Sequence, residues 1–230
     1  MKAPSKPAWA TADAYLFDID GTLLNVRDTV HYHAFHHAVR KVFGIDSRID
    51  GVPVHGNTDI GILRAVLRRE GLADAAFEAR LPEATALMCA EVSAQSSLIR
   101  PEICPSICEL LQRLRLAGRL LGVASGNLQS IGWNKLEVAG LRSMFEFGCF
   151  SDTTEHREDI FRHGIEEVQR RRGPSAATCV LGDTPSDIRA AQAVGIPVIA
   201  VATGVFGVDE LRSLGPDACF SSCRELLPLL

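Results

Sequence analysis

The sequence predicts an α/β protein with a doubly wound parallel sheet and an inserted helical segment. Several short apolar runs are continuous rather than alternating, which is typical of strands covered on both faces. Segments with helical spacing of apolar residues lie between these runs, and strands alternating with helices favour a parallel sheet. A stretch without clear strands follows the first run. We therefore divide the chain into an N-terminal tail (1–13), a core (14–24 and 101–230) and a helical cap (25–100).

The predicted elements follow in order along the chain. The strands are expected at 14–20, 120–125, 178–183, 197–203 and, more weakly, 217–222. Helices are expected at 57–71, 104–118 and 184–195, because each segment opens with a Ser, Thr, Asn or Pro signal, repeats apolar residues at helical spacing and ends at a glycine.

Composition and charge restrict the class of partner. The 230 residues are 47% hydrophobic and carry a net charge of −4, which is ordinary for a globular protein without a broad basic surface. A nucleic acid or an anionic membrane therefore has no electrostatic support as a partner, and we expect a small molecule. The first residues lack the apolar core of a signal peptide, and no apolar window is long enough to span a bilayer. We expect a cytoplasmic protein, either a monomer or a homodimer.

The seven cysteines form no CxxC pair, and their spacing is not that of a disulfide scaffold. We expect reduced thiols. The alternative is a metal site that combines Cys104 and Cys108 with Cys219 and Cys223, but it lacks the tighter pairs and partner histidines that are usual at zinc sites.

Polar residues follow three of the predicted strands. Asp18 and Asp20 follow the first, "SGN" at 125–127 follows another, and "GDTPSD" at 182–187 follows a third. Each group alone is also explained as a helix cap. Because the carboxyl ends of parallel strands share one edge, the four carboxylates would meet there and need a cation. Hard oxygen ligands favour Mg²⁺, and a metal ion with open positions attracts phosphate.

These motifs resemble those of the haloacid dehalogenase superfamily, in its phosphatase-type members with a helical cap after the first motif (phosphoglycolate phosphatase-like). "DIDGTLL" is similar to the DxDGT motif, "VASGN" to the second motif and "GDTPSD" to the GDxxxD motif, and the resemblance spans 14–205. It implies a Rossmann-like core and a magnesium-dependent phosphoric monoester hydrolase acting on a small phosphorylated metabolite. Asp20 favours a C–O–P substrate, since dehalogenating and phosphonate-cleaving members lack that carboxylate.

The resemblance also implies residue roles. Asp18 would be the nucleophile that forms an aspartyl-phosphate, and Asp20 the general acid and then the general base. Asp18, the backbone carbonyl of Asp20 and Asp183 would hold Mg²⁺, with Asp187 in support. The expected phosphate-binding residues are Gly21, Thr22, Ser125, Gly126, Asn127 and Arg157.

The third motif departs from the family pattern. Glu155 and His156 stand where a Lys-Pro pair is usual, so we expect Arg157 to supply the positive charge beside Asp18. The alternative for Arg157 is an exposed residue at a helix start. Lys135 is a second candidate, on a helix expected to lie a turn or more beyond the site.

Two features of the cap have open interpretations. The residues Asn57, Thr58 and Asp59 are similar to a turn that capped members carry near the substrate, and they also fit a plain helix N-cap. His33 and His37, four residues apart, lie in the cluster 31–39, where histidines could bind a metal, contact the substrate or simply pack.

Two alternative functions remain at this point. A phosphomutase or phosphotransferase would pass the aspartyl-phosphate to another hydroxyl, although Thr22 favours hydrolysis. A non-catalytic binding protein is favoured only by the missing lysine of the third motif.

Overall fold

The computed structural model describes residues 7–26 and 29–230. The predicted tail residues 1–6 and the predicted cap residues 27–28 lie outside the described residues.

Within this described chain, six parallel strands form one sheet in the order β5-β4-β1-β6-β7-β8. The strands are β1 (Ala14–Phe17), β4 (Leu120–Ala124), β5 (Phe147–Cys149), β6 (Thr178–Gly182), β7 (Val198–Val201) and β8 (Ala218–Phe220), while β2 (Leu24–Val26) and β3 (Pro101–Ile103) form a separate antiparallel pair. The predicted doubly wound α/β fold is confirmed.

Helices cover the sheet and build the inserted segment. The α-helices are α1 (Ala8–Thr11), α2 (Val30–Phe43), α3 (Asp59–Arg69), α4 (Asp74–Ala94), α5 (Ile107–Leu116), α6 (Gln129–Val138), α7 (Arg157–Arg172), α8 (Pro185–Val194), α9 (Val208–Ser213) and α10 (Cys223–Leu226). Short 3₁₀ turns lie at Ser96–Leu98, Arg142–Met144, Ser151–Thr153 and Leu227–Leu229.

Alternation along the strands divides the core between two faces of the sheet. In β1, Tyr15 and Phe17 pack with α1, α5, α6 and α10, whereas Ala14 and Leu16 pack with α7, α8 and α9. A third apolar cluster is formed by α2, α3 and α4, and it includes Leu128 and Ile131 at the start of α6. The helical insert therefore packs against the core as well as within itself.

The structure differs from the predictions at four places. The first strand ends at Phe17 rather than at residue 20, and the short strand β5 has no counterpart among the predicted ones. The segment 25–100 was expected to contain no clear strand, yet β2 pairs with β3 where the insert leaves the core. The predicted tail, 1–13, includes helix α1, which buries Trp9 against the core.

None of the seven cysteines is paired in a disulfide in the structure. In the part of the chain that the structure describes, no helix combines the length and apolarity needed to cross a bilayer.

Candidate active site

The site lies where β4, β1 and β6, three adjacent strands, end at the same edge of the sheet. A cavity of about 390 Å³ opens there, between this edge and the helical insert. Its core side is lined by residues that follow these strands or lie on α6 and α7, and its insert side by residues of α2 and of the 54–62 segment. The core-side lining includes Asp18, Asp20, Gly21, Ser125, Gly126, Asn127, Lys135, Arg157 and Asp183.

Three buried carboxylates form the most acidic part of the site. Oxygens of Asp18, Asp183 and Asp187 lie within 4.8 Å of one another. Burial raises the pKa of the Asp18 carboxyl to about 6, although the charge of Arg157 lowers it. Burial and the charges of Asp18 and Asp187 raise the pKa of Asp183 to about 9. Burial and mutual repulsion thus outweigh the charge of Arg157 at both carboxyls, and the oxygen-only donor set of the group suits Mg²⁺.

Asp187 supports this group from the start of α8. One of its carboxylate oxygens accepts hydrogen bonds from the backbone and hydroxyl of Thr184, at 3.1 and 2.7 Å, in a capping box. Its other oxygen accepts a bond of 2.7 Å from Nε of Arg157. Both oxygens are therefore engaged by protein donors, which fits the supporting role expected from the sequence.

Arg157 is a buried residue, 5% exposed, at the first turn of α7. Its Nη2 lies 2.8 Å from Asp18 and 2.5 Å from Asp187, so the interpretation as an exposed helix-start residue is wrong. Within the described chain, this Nη2 makes no hydrogen bond of good geometry. The guanidinium therefore lies between the carboxylates of Asp18 and Asp187 and offsets part of their negative charge.

Lys135 lies at the site, not beyond it as its helix suggested. Its Nζ is 2.7 and 2.9 Å from the two carboxylate oxygens of Asp20 and 2.8 Å from Oδ1 of Asn127. Desolvation acts to raise the pKa of Asp20, but Lys135 and Asn127 outweigh it and hold that pKa below its usual range. The two carboxylates of the first motif therefore each have their own cation.

The second motif brings a free hydroxyl to the cavity. Ser125 is buried and accepts a 2.9 Å bond from Nδ2 of Asn127, and its own hydroxyl hydrogen has no acceptor among the described residues. The Asn127 amide also donates to Asp20 at 2.7 Å, so its side chain is already engaged. Of the two side chains, Ser125 is therefore the one that keeps a hydrogen-bond donor uncommitted among the described residues.

The glycine of the first motif is required by close packing. Gly21 has a φ of +88°, and a Cβ there would lie 2.1 Å from an Asp183 oxygen. Thr22, which we expected to bind phosphate, is fully buried and donates its hydroxyl to Asp183 at 3.1 Å. It therefore orients a carboxylate instead.

The 57–59 turn joins the insert to the core. The Asp59 backbone donates to the Gly126 carbonyl at 2.7 Å, and its carboxylate accepts from the Leu128 backbone at 2.8 Å. Thr58 caps α3 by accepting from Gly61, and it donates to the Glu155 carbonyl at 3.0 Å. Asn57 and Asp59 also line the cavity, so the turn is both a helix cap and part of the site.

The histidine cluster does not form a metal site of three or more ligands among the described residues. His37 lies 2.8 Å from Glu91, away from the cavity lining. His31 lines the cavity, stacks on Phe35 and has its Nε2 3.2 Å from Asp59. One imidazole of the cluster therefore reaches the site mouth.

Lys135 and Arg157 share a sequence pattern that indicates burial: each is a basic residue on the apolar side of a helix. Lys135 lies on the buried side of α6 with Ile131 and Leu136, and Arg157 shares the buried side of α7 with Phe161. A basic residue within an apolar helical stripe is seldom left unpaired in a core. This pattern indicates that Lys135 is buried and paired, which the comparison of motifs does not.

Comparison with known proteins agrees with the motifs. The chain is 30% identical over 117 residues to a phosphoglycolate phosphatase of Mesorhizobium japonicum, covering 51% of each chain. It is 28% identical over 123 residues to a probable phosphatase, IndB, of Dickeya dadantii, covering 54% of each. These matches span about half the length of those relatives. A match to the Synechococcus elongatus phosphoglycolate phosphatase, 28% identical, covers 93% of this chain and 95% of the relative.

Solved structures share the fold. CbbY from Rhodobacter sphaeroides in complex with phosphate has a TM-score of 0.63 at 20% identity, covering 89% of this chain and 97% of that one. A haloacid dehalogenase-like protein, SP0104, from Streptococcus pneumoniae has a TM-score of 0.61 at 19% identity, covering 94% and 97%. The family model for haloacid dehalogenase-like hydrolases matches residues 15–201. The chain therefore belongs to the haloacid dehalogenase-like hydrolase family.

Proposed function

We propose that the protein is a magnesium-dependent phosphatase that hydrolyses a small phosphorylated metabolite through an aspartyl-phosphate. The observation that carries the proposal is the separate pairing of Asp18 with Arg157 and of Asp20 with Lys135 at the base of one cavity. Two carboxylates in different environments suit two different roles. The relatives named as phosphatases favour the same reaction class.

The proposed first step is attack by a carboxylate oxygen of Asp18 on phosphorus. Arg157 and the hydroxyl of Ser125 donate to the phosphoryl oxygens. Asp20, whose pKa is held low in the free site, reacts through its minor protonated form and gives that proton to the departing oxygen. In the second step Asp20 takes a proton from water, which attacks the phosphorus of the aspartyl-phosphate and releases phosphate.

Asp18, the backbone carbonyl of Asp20 and Asp183 would hold Mg²⁺. When bound, the ion supplies the positive charge that the buried carboxylates lack and reduces their repulsion toward a phosphate dianion. We further propose that 25–100 acts as a cap that limits water access during the reaction. The free cysteines suit a reducing compartment such as the cytoplasm.

The test is hydrolysis of a panel of phosphorylated metabolites, including phosphoglycolate, and of an aryl phosphate, with Mg²⁺ or with EDTA. Asp18→Asn should lower kcat at least roughly 10³-fold, because it removes the nucleophile while keeping the side-chain shape. The matched control is Asp46→Asn at an exposed position, which should retain wild-type turnover.

Two outcomes would overturn the proposal. Absence of magnesium-dependent turnover on the whole panel would support the binding-protein alternative. Transfer of phosphate to an added hydroxyl compound in place of water would instead identify a phosphotransferase.

A further inference from the structure

Lys135 is a buried cation to which the reaction scheme above gives no step. It is 4% exposed and lies among apolar neighbours on α6. Its Nζ contacts both oxygens of Asp20 and the Oδ1 of Asn127, at 2.7 to 2.9 Å. A buried ammonium carries a large desolvation cost, and an apolar side chain of similar size would fill this place without it. Packing alone therefore does not explain why a charged lysine occupies position 135.

The three side chains form a closed triangle at the base of the cavity. Asn127 donates to Asp20 at 2.7 Å through the same Nδ2 that donates to Ser125 at 2.9 Å. Lys135 completes the triangle by donating to both Asp20 and Asn127. Through Asn127, these hydrogen bonds fix the Asp20 carboxylate relative to the Ser125 hydroxyl, which is proposed to hold the phosphoryl group.

Asp20 needs such support because its side chain is not enclosed. It is 44% exposed, and the cavity lies on its open side. A half-exposed carboxylate on a rotatable stem samples several positions unless donors fix it. Lys135 approaches both oxygens at once, which fixes the plane of the carboxylate as well as its place.

We propose that Lys135 is a positioning residue for Asp20, holding its carboxylate where it meets the departing oxygen and then the attacking water. The inference rests on the proposed function. It assigns Lys135 to the support of proton transfer and not to phosphoryl binding, which the proposed reaction scheme gives to Arg157 and Ser125. The two half-reactions should therefore respond differently when Lys135 is replaced.

An aryl phosphate with a good leaving group separates the half-reactions. Nitrophenolate departs with little help from a general acid, so formation of the aspartyl-phosphate should depend weakly on the position of Asp20. Hydrolysis of the aspartyl-phosphate still needs Asp20 as base. A misplaced Asp20 should therefore produce a rapid release of about one nitrophenolate per enzyme, followed by slow turnover.

The experiment is stopped-flow hydrolysis of p-nitrophenyl phosphate by the Mg²⁺-loaded full chain and by Lys135→Met. We expect the variant to show the rapid phase at a rate within about 3-fold of wild type and a steady-state kcat about 10–100-fold lower. An alkyl phosphate, which needs protonation of its leaving oxygen, should show slow turnover without a rapid phase. The matched control is Lys41→Met, an exposed lysine on α2, with unchanged kinetics.

Lys135→Arg keeps the buried charge but moves its donors, and it provides a second test should the Met variant fold poorly. It should show the same separation of phases. If a Lys135 variant slows the rapid phase and the steady-state turnover equally, or leaves both unchanged, the inference is overturned. The proposed function still stands in that case, provided that the wild type turns over. An inactive wild type would instead overturn the proposed function.

Discussion

Asp18 and Asp20 are separated by one residue, and Ile19 between them is buried in the core. After an extended strand, residues i and i+2 point to the same side, so the two carboxylates share the cavity while Ile19 anchors the backbone. Arg157 reaches Asp18 from α7, and Lys135 reaches Asp20 from α6. Repulsion within the motif is therefore reduced by cations that approach from two different helices.

At the same scale, Asp183 should make the stability of the metal-free protein dependent on pH. Its pKa is about 9 in the folded protein and 3.8 without perturbation. Between these values the folded state holds a proton that the unfolded chain has lost, so the free energy of unfolding falls as pH rises from about 4 to about 9. Asp183→Asn cannot ionise and should be more stable than wild type at pH 8 without metal.

Thermal unfolding in EDTA measures this difference. We expect the variant to gain at least ~1 kcal/mol at pH 8, or about 2–4 °C in Tm, and to gain nothing at pH 4. Added Mg²⁺ should stabilise wild type more than the variant. A metal-free variant that is less stable than wild type at pH 8 would contradict the assignment of Asp183.

At the scale of elements, helix α3 is attached directly to the segment that precedes Arg157. Arg64 donates to the Glu155 carboxylate at 2.5 Å and also pairs with Glu78 and Asp74 of α4. Thr58 bonds the Glu155 carbonyl from the cap of the same helix. The insert and the third motif are therefore held together close to the guanidinium that faces Asp18.

Glu155→Gln should weaken this attachment by removing the charge that Arg64 pairs with. Charge-assisted hydrogen bonds stabilise more than neutral ones, so we expect the free energy of unfolding to fall by about 1 kcal/mol. Amide hydrogen exchange in the first turns of α3 should increase at the same time. The control is Glu166→Gln, at an exposed position on α7. If both variants lose the same free energy of unfolding, a specific effect of the Arg64–Glu155 pair is contradicted.

At the scale of the whole molecule, the arrangement of the sheet was largely predictable. Four strands are apolar runs of four or five residues that can be recognised, while the three-residue strand β8 is indicated only weakly. The polar groups that follow β1, β4 and β6 meet because those strands are neighbours. β5 has only three residues with Gly148 at its centre, and β2 and β3 are equally short, so none carries enough periodicity to be detected.

The site was predictable in its motifs and less so in its contacts. The positions of Asp18, Ser125 and Asp183 follow from strand ends, since local sequence places them. Thr22 and Lys135 differ from expectation because each contact joins residues more than 100 positions apart in the chain. Such pairings depend on how α6 and the β6 loop pack, which local sequence patterns do not encode.

Helix α1 and strand β8, which are far apart in sequence, pack together on one face of the core. Trp9 is 8% exposed and packs edge-on against Phe220, with ring centroids 6.2 Å apart. Trp9→Ala should lower the free energy of unfolding by about 3 kcal/mol, because it leaves a cavity beside β8. Urea denaturation checks this value. The control is Leu116→Ala, at a side chain that is 82% exposed, which should change the free energy of unfolding by less than about 0.5 kcal/mol. If the two variants lose similar free energies, the packing role of Trp9 is contradicted.

The antiparallel pair β2–β3 has a consequence for how such a molecule can evolve. Leu24 lies opposite Ile103 and Val26 opposite Pro101, so the chain leaves the core and returns to it at adjacent points. A segment joined in this way can be lengthened, shortened or exchanged without shifting the register of the parallel sheet. Selection can therefore alter the insert side of the cavity while the residues at the sheet edge keep their positions.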